Sequence, residues 1–446
     1  KGAPTLFTTF SCAEFEWDSL VKSIYETVEK KQISLEEIKK KPIAWRNKLL
    51  SDNVLQSTLH FSKRTDKIMS LLSNKGIFSH DGQDFVVDFF FYRVEFQARG
   101  APHIHCLLWL KSDKDKSPPS LWNEDPQSKM SIEEQIAAFA DSVMCGSSSD
   151  MSCEIHTKFD EQCEDCLEGK LLVDKFQSHS HKATCRKKGK MLRIYSNEGH
   201  GRLDNVVTGD ELTVPVCRLR HPKFPMDKTV FIRSYPEDVD EDELMKAKYD
   251  YKKIKKYLLR MTHGENFKES ESFKKFQKLS FNQFLYEVGM FDAKDLAGKN
   301  VVKARQRYLN ALRCEVRSSG LLILRRETSD IFTNNYNKKL IRLHQANQDI
   351  QFITDEYAVA EYICNYLTKN EAGMSGMLKN INDEAVKQGE EVMKTIKKLA
   401  TALDKGREMS IQEAIYRSLG MKMTKFRDVI RFVNTSHPDR REGLLK

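Results

Sequence analysis

The sequence predicts a mixed α+β architecture, and three observations carry that expectation. First, Val86-Val-Asp-Phe-Phe-Phe-Tyr-Arg-Val-Glu-Phe-Gln97 is rich in aromatic and β-branched residues, the types that fit a pleated, half-buried surface. Second, a further β-like run containing His103-Ile-His105 follows Arg99-Gly100-Ala101-Pro102, a turn-forming tetrad, so the two runs read as a hairpin. Third, helical apolar spacing marks residues 12–30, 52–73, 237–312 and 355–369, and an apolar strand is expected at 321–324.

Composition bounds the rest. A chain of 446 residues has room for two to four domains, and 40% hydrophobic with 10% aromatic residues describes a folded protein. No run approaches the roughly 18 apolar residues that span a bilayer, and the N-terminus lacks a charged-then-apolar signal pattern. A soluble, intracellular protein is expected. The chain starts at Lys1 and opens directly on a strand-like segment, which reads as a piece of a longer polypeptide. The net charge of +9 is mild, but residues 251–278 hold nine Lys/Arg against three Glu. Tyr251, Tyr257, Phe267, Phe273 and Phe276 are interleaved with Lys252, Lys253, Lys255 and Lys256. Lysines that neutralise phosphates and rings that stack on bases suit single-stranded DNA; a solvated helix face is the plainer alternative.

Alternation along the first hairpin strand places Arg93, Glu95 and Gln97 on one face and Phe90, Tyr92, Val94 and Phe96 on the other. His103 and His105 share a face of the second strand, and imidazole is the commonest protein metal ligand. The hairpin brings Glu95 or Gln97 beside them as a third ligand. A carboxylate favours Mg²⁺ or Mn²⁺, and two imidazoles tolerate Mn²⁺ better.

Ten cysteines in such a chain point to metal or burial rather than disulfides. Cys145, Cys153, Cys163, Cys166, Cys185 and Cys217 crowd one region with His156, His179 and His181. Cys163-x2-Cys166, followed by His179 or His181 and then Cys185, has the spacing of a structural Zn²⁺ module. The nine residues suffice even for two ions. Further on, Tyr362 and Tyr366 lie one turn apart in a run without Gly or Pro, so both phenols share a helix face, with Lys369 on the next turn as a phosphate contact or a solvated helix residue.

Glu95-Phe-Gln-Ala-Arg-Gly-Ala-Pro-His-Ile-His-Cys-Leu-Leu-Trp109 resembles the histidine–hydrophobic–histidine motif of Helitron rolling-circle transposases. Other segments follow in the family's order. Pro4-Thr-Leu-Phe-Thr-Thr-Phe-Ser11 resembles its opening strand, and Asn334-Asn-Tyr-Asn337 with Gln345-Ala-Asn-Gln-Asp-Ile350 the segments before its tyrosine motif. Tyr362-Ile-Cys-Asn-Tyr366-Leu-Thr-Lys369 resembles the two-tyrosine motif, and residues 412–435 the part that follows it.

The resemblance implies an HUH-endonuclease-like antiparallel sheet with helices on one face and the tyrosine helix against the histidine strand. It implies a metal-dependent single-stranded DNA endonuclease and strand transferase acting through a covalent 5′-phosphotyrosine on Tyr362 or Tyr366, and it favours Glu95 as third ligand. Family members of animals often carry a His-x-His element followed closely by Thr-Cys, and a later Cys-Arg. This offers His179, His181, Cys185 and Cys217 as a competing zinc quartet. The implied organisation is a first nuclease part at 1–125, a zinc-binding insertion at 126–235, a basic helical segment at 236–312 and a second nuclease part at 313–446. Single-stranded DNA, a helicase fused C-terminally or supplied separately, and a nuclear location belong to the same expectation. No G-x-x-x-x-G-K-[ST] phosphate loop occurs, so ATP-driven unwinding is not expected of this segment. The competing readings are a catalytically inactive zinc-containing single-strand binder and a phosphodiesterase that uses water.

Overall fold

The computed structural model describes residues 2–96, 100–114, 116–122, 128–153, 155–156, 158–182, 185–195, 211–262, 266–291, 299–316, 319–355 and 410–427, with positions 357, 361 and 394. The chain begins with β1 (Leu6–Ser11), α1 (Asp18–Glu29), α2 (Leu35–Lys40), α3 (Ile43–Asp52) and α4 (Val54–Asn74). Then come β2 (Phe78–His80), β3 (Gln83–Phe96) and β4 (Pro102–Ser112). The middle holds α5 (Ile132–Val143), α6 (Glu164–Phe176), β5 (Arg186–Tyr195), β6 (Glu211–Cys217) and β7 (Val230–Ile232). A helical run of α7 (Glu241–Met261), α8 (Glu271–Gln277), α9 (Phe281–Glu287) and α10 (Lys299–Arg313) leads to β8 (Leu321–Ile323), α11 (Lys338–His344) and β9 (Gln348–Phe352). From residue 410 follow α12 (Ile411–Ser418) and β10 (Thr424–Phe426).

Six strands form one antiparallel sheet in the order β10-β3-β4-β1-β9, with β2 also paired to β3. The period-2 pattern decides its two faces. Leu6, Phe10, Tyr92, Val94, Ile104, Cys106, Leu108 and Ile350 all point one way and are buried. Against them lie Leu20, Val21 and Ile24 of α1, Phe61, Ile68 and Leu72 of α4, and Ile136, Phe139 and Ala140 of α5. Tyr416 of α12 joins the same core. The expected α+β class, an antiparallel sheet with helices packed on one face, is what the chain adopts. β3 carries a bulge between Val87 and Phe89, and Arg427, just past β10, donates to the carbonyls of Val87 and Asp88 there.

A second core forms from α7 to α10, where Ile254, Tyr257, Leu258, Phe273, Phe276, Phe284, Tyr308 and Leu312 are buried together. Arg307 of α10 bonds both carboxylate oxygens of the buried Asp250 on α7. The strand expected at 321–324 is present as β8, which pairs with β7, while β9 is the late strand that joins the central sheet. Within residues 126–235, Ile132, Ile136, Phe139, Ala140, Val143 and Met144 join the sheet's core, because the apolar face of α5 needs that surface for burial.

Candidate functional site

The face of the sheet opposite the helices carries polar residues in register. Glu95 of β3 stands opposite His103 of β4, which stands opposite Ser11 of β1. One pleat further, Arg93, His105, Thr9 and Asp349 form a row across β3, β4, β1 and β9. Directly opposed residues share a face, so these two rows make one patch. The two imidazole centroids are 4.6 Å apart. His105 Nε2 lies 2.9 Å from Glu95 Oε2, and the His105 ring stacks on Phe7 at 5.8 Å. His103 Nδ1 lies 2.9 Å from the Ser11 hydroxyl. With Nδ1–H donating to Ser11, Nε2 of His103 is the nitrogen that carries the lone pair. His105 is buried and His103 half-buried, so the pair sits at the rim of a covered site.

Two imidazoles and a carboxylate, residue types that can ligate a divalent ion, share one patch, and Ser11 orients one of the imidazoles. Asp349, in the His105 row, accepts from Gln351 Nε2 at 2.6 Å. Burial holds its carboxyl above the usual range, while Lys223, Gln351 and His105 pull the other way. Lys223 is anchored through its backbone N–H to Ile331 and through Nζ to the Leu219 carbonyl at 3.2 Å. Burial brings the Lys223 ammonium down to about 8, and Asp349 partly opposes this. Beneath the patch, His344 Nε2 donates to the Ser11 carbonyl at 2.9 Å, on the residue that holds His103. The sequence did not reveal Ser11 and Asp349 as neighbours of the histidine pair, nor Lys223 beside Asp349. Only the alternation within Pro4–Ser11 and Gln348–Phe352 hinted at the first two.

Two groups of cysteines and histidines draw together more tightly than the histidine pair and Glu95. Among the described residues, Cys153, His156, Cys163 and Cys166 form one group and His179, His181, Cys185 and Cys217 the other, with all ligand atoms of each within 4.8 Å of one another. In the second group His179 Nε2 is 3.3 Å from His181 Nδ1, His181 Nδ1 is 3.4 Å from Cys185 Sγ, and Cys217 Sγ is 3.6 Å from His179 Nε2. Burial, with His181 beside it, brings His179 down to about 4, so its ring is neutral and able to ligate at neutral pH. The mixed quartet of Cys163 and Cys166 with His179 or His181 and Cys185 is not assembled. α6 runs on from Cys166 to Phe176, about 15 Å at 1.5 Å per residue, between the knuckle and His179.

Gln97, Tyr362, Tyr366 and Lys369 lie outside the described residues. In the basic segment Lys252 is exposed, Lys256 half-buried and Lys253 buried. Lys255 donates to the Tyr251 hydroxyl at 2.9 Å and sits 5.1 Å from the centroid of that ring. Tyr257, Phe273 and Phe276 are core residues, which corrects their reading as stacking platforms for bases: the rings that helical spacing placed among the lysines face the second core.

The sheet and its polar patch define an α+β protein with a histidine pair and an acid on neighbouring strands, flanked by cysteine–histidine groups. Residues 1–108 match the family model described as "Helitron helicase-like domain at N-terminus", a stretch that includes Glu95, His103 and His105. The match supports a Helitron relationship for this part of the chain. No curated protein and no solved structure matches the chain.

Proposed function

We propose that the chain is the nuclease part of a Helitron-related enzyme that nicks single-stranded DNA and rejoins strands through a covalent 5′-phosphotyrosine. The observation that carries this reading is the patch of Glu95, His103 and His105 on neighbouring strands, inside the segment that matches the Helitron model. Mn²⁺ or Mg²⁺ held by His103, His105 and Glu95 would supply Lewis-acid polarisation of the scissile phosphodiester. Ser11 fixes the His103 ring, and Phe7 supports the His105 ring from beside it. The phenol of Tyr362 or Tyr366 attacks phosphorus. A Tyr O–P bond forms, the P–O3′ bond breaks, the phenol gives up its proton and the 3′ oxygen takes one. Keeping the phosphoryl bond energy on tyrosine lets the reverse step join a second strand. Single-stranded DNA, a helicase fused or separate, and a nuclear site of action complete the reading, with structural Zn²⁺ in the group of His179, His181, Cys185 and Cys217.

The test is incubation of a labelled single-stranded oligonucleotide with the protein and Mn²⁺. A covalent protein–DNA adduct is expected, lost in the His103→Ala/His105→Ala double variant and altered by Tyr362→Phe or Tyr366→Phe. Adduct formation by the double-histidine variant would sink the proposal, as would tight binding without any adduct.

A further inference from the structure

The cysteine–histidine region holds four ligands that the spacing of its motifs does not pair. Cys153-x2-His156 precedes the knuckle of Cys163-x2-Cys166, and α6 begins between the knuckle's two cysteines: Cys163 caps it and Cys166 lies in its first turn. Cys153 Sγ is 3.2 Å from His156 Nδ1, His156 Nδ1 is 3.7 Å from Cys166 Sγ, and Cys153 Sγ is 3.9 Å from Cys163 Sγ. Tetrahedral zinc, with bonds of about 2.3 Å to sulfur and about 2.0 Å to nitrogen, has ligand–ligand edges of about 3.8 Å for S···S and about 3.6 Å for S···N. The observed separations cluster around those edges. A disulfide needs S–S near 2.05 Å, so the 3.9 Å pair is not bonded. The Cys153 backbone N–H also donates to Cys166 Sγ at 3.2 Å, the kind of donor that stabilises a thiolate.

We propose that Cys153, His156, Cys163 and Cys166 bind a zinc ion of their own, distinct from any ion held by His179, His181, Cys185 and Cys217. Four protein ligands fill the tetrahedron, so the site is structural. Its effect reaches the sheet through one helix. Next to Cys153, Lys338 donates to Ser152 Oγ, and between Cys163 and Cys166 the Asp165 carbonyl accepts from Arg342, both donors belonging to α11. Val173 and Phe176 of α6 pack with Tyr336 and Ile341 of the α11 region. The last residue of α11 is His344, which bonds Ser11 under the histidine pair. Zinc at this quartet therefore fixes the start of α6 against the helix that supports the patch. This assignment stands apart from the nicking proposal.

Zinc content of the purified full chain, read by mass spectrometry of the metal, tests it. About two ions per chain are expected, falling to about one in Cys163→Ser, to about one in Cys217→Ser, and to none in the double variant. One ion per chain, lost on either substitution, would mean a single shared site and would overturn the proposal; so would a Cys163→Ser variant that keeps both. His156→Cys keeps four ligands and guards against variants that fail to fold. It should retain two ions and, in the Co²⁺-substituted protein, add thiolate-to-cobalt charge-transfer intensity; an unchanged spectrum would refute His156 as a ligand. The His103→Ala/His105→Ala variant should keep both zincs, so loss of nicking and loss of this site are separately visible.

Discussion

Ser11 contributes one hydroxyl to the site, yet that hydroxyl decides which nitrogen His103 presents. Groups that orient a ligating imidazole are worth roughly 10- to 100-fold in metal affinity or activity. Ser11→Ala is therefore expected to raise the Mn²⁺ concentration needed for half-maximal adduct formation by about 10-fold, with thermal stability little changed. A second residue-scale consequence lies at His344. Burial lowers its folded value to about 3 from the ordinary 6.5. The folded protein needs the ring neutral, so the unfolded chain takes up the proton first as pH falls. Stability from this group is full above pH 6.5 and is lost progressively down to about pH 3. His344→Gln should flatten urea stability against pH in that window relative to the parent chain; an equal slope in both would refute the assignment.

At the scale of elements, Arg326 ties together segments distant in the sequence. Its guanidinium is buried and donates to the carbonyls of Gly146, Asp330 and Thr333 and to Asn335 Oδ1. Arg326→Ala takes the guanidinium donors from the buried Gly146 and Thr333 carbonyls, and a loss of about 3 kcal/mol or more is expected in urea unfolding. Elements also show what the sequence could and could not reveal. The hairpin of β3 and β4, the faces of its residues and the placement of Glu95 beside the histidines all follow from alternation, a local signal. The pairing of β8 with β7, and the arrival of Asp349 in the His105 row, are choices among distant partners that no local period encodes. The cysteines show the same limit: their spacing suggested one knuckle closing on His179, but the intervening helix α6 is a rigid spacer that sends the two halves to different partners.

For the molecule as a whole, charge and core divide the basic segment. Tyr251 to Lys278 read as one DNA-facing stripe in sequence, but helical periodicity alone cannot say which stripe a second core will claim. Lys252 remains on the surface and Lys253 does not. If this surface contacts one phosphate, Lys252→Ala should lower the slope of log affinity against log salt for single-stranded DNA by about 0.7. Lys253→Ala should instead act on stability, seen as a shifted unfolding midpoint.

The central sheet is sewn from residues 6–11, 78–80, 83–96, 102–112, 348–352 and 424–426. Its histidine pair exists once the first quarter of the chain has been made, but both outer edges of that early sheet wait for β9 and β10, which arrive last. A long loop adds little to the equilibrium cost of closure, since that cost grows only with the logarithm of length. The burden falls on time: distant pairing is slow, and bare strand edges recruit other chains meanwhile. A fragment ending at residue 112 should therefore carry Glu95, His103 and His105 yet aggregate on expression, whereas adding the β9 and β10 strands as part of the whole chain should keep it dispersed. Arg427, gripping the β3 bulge from the far end of the described chain, is among the last fastenings of that seam.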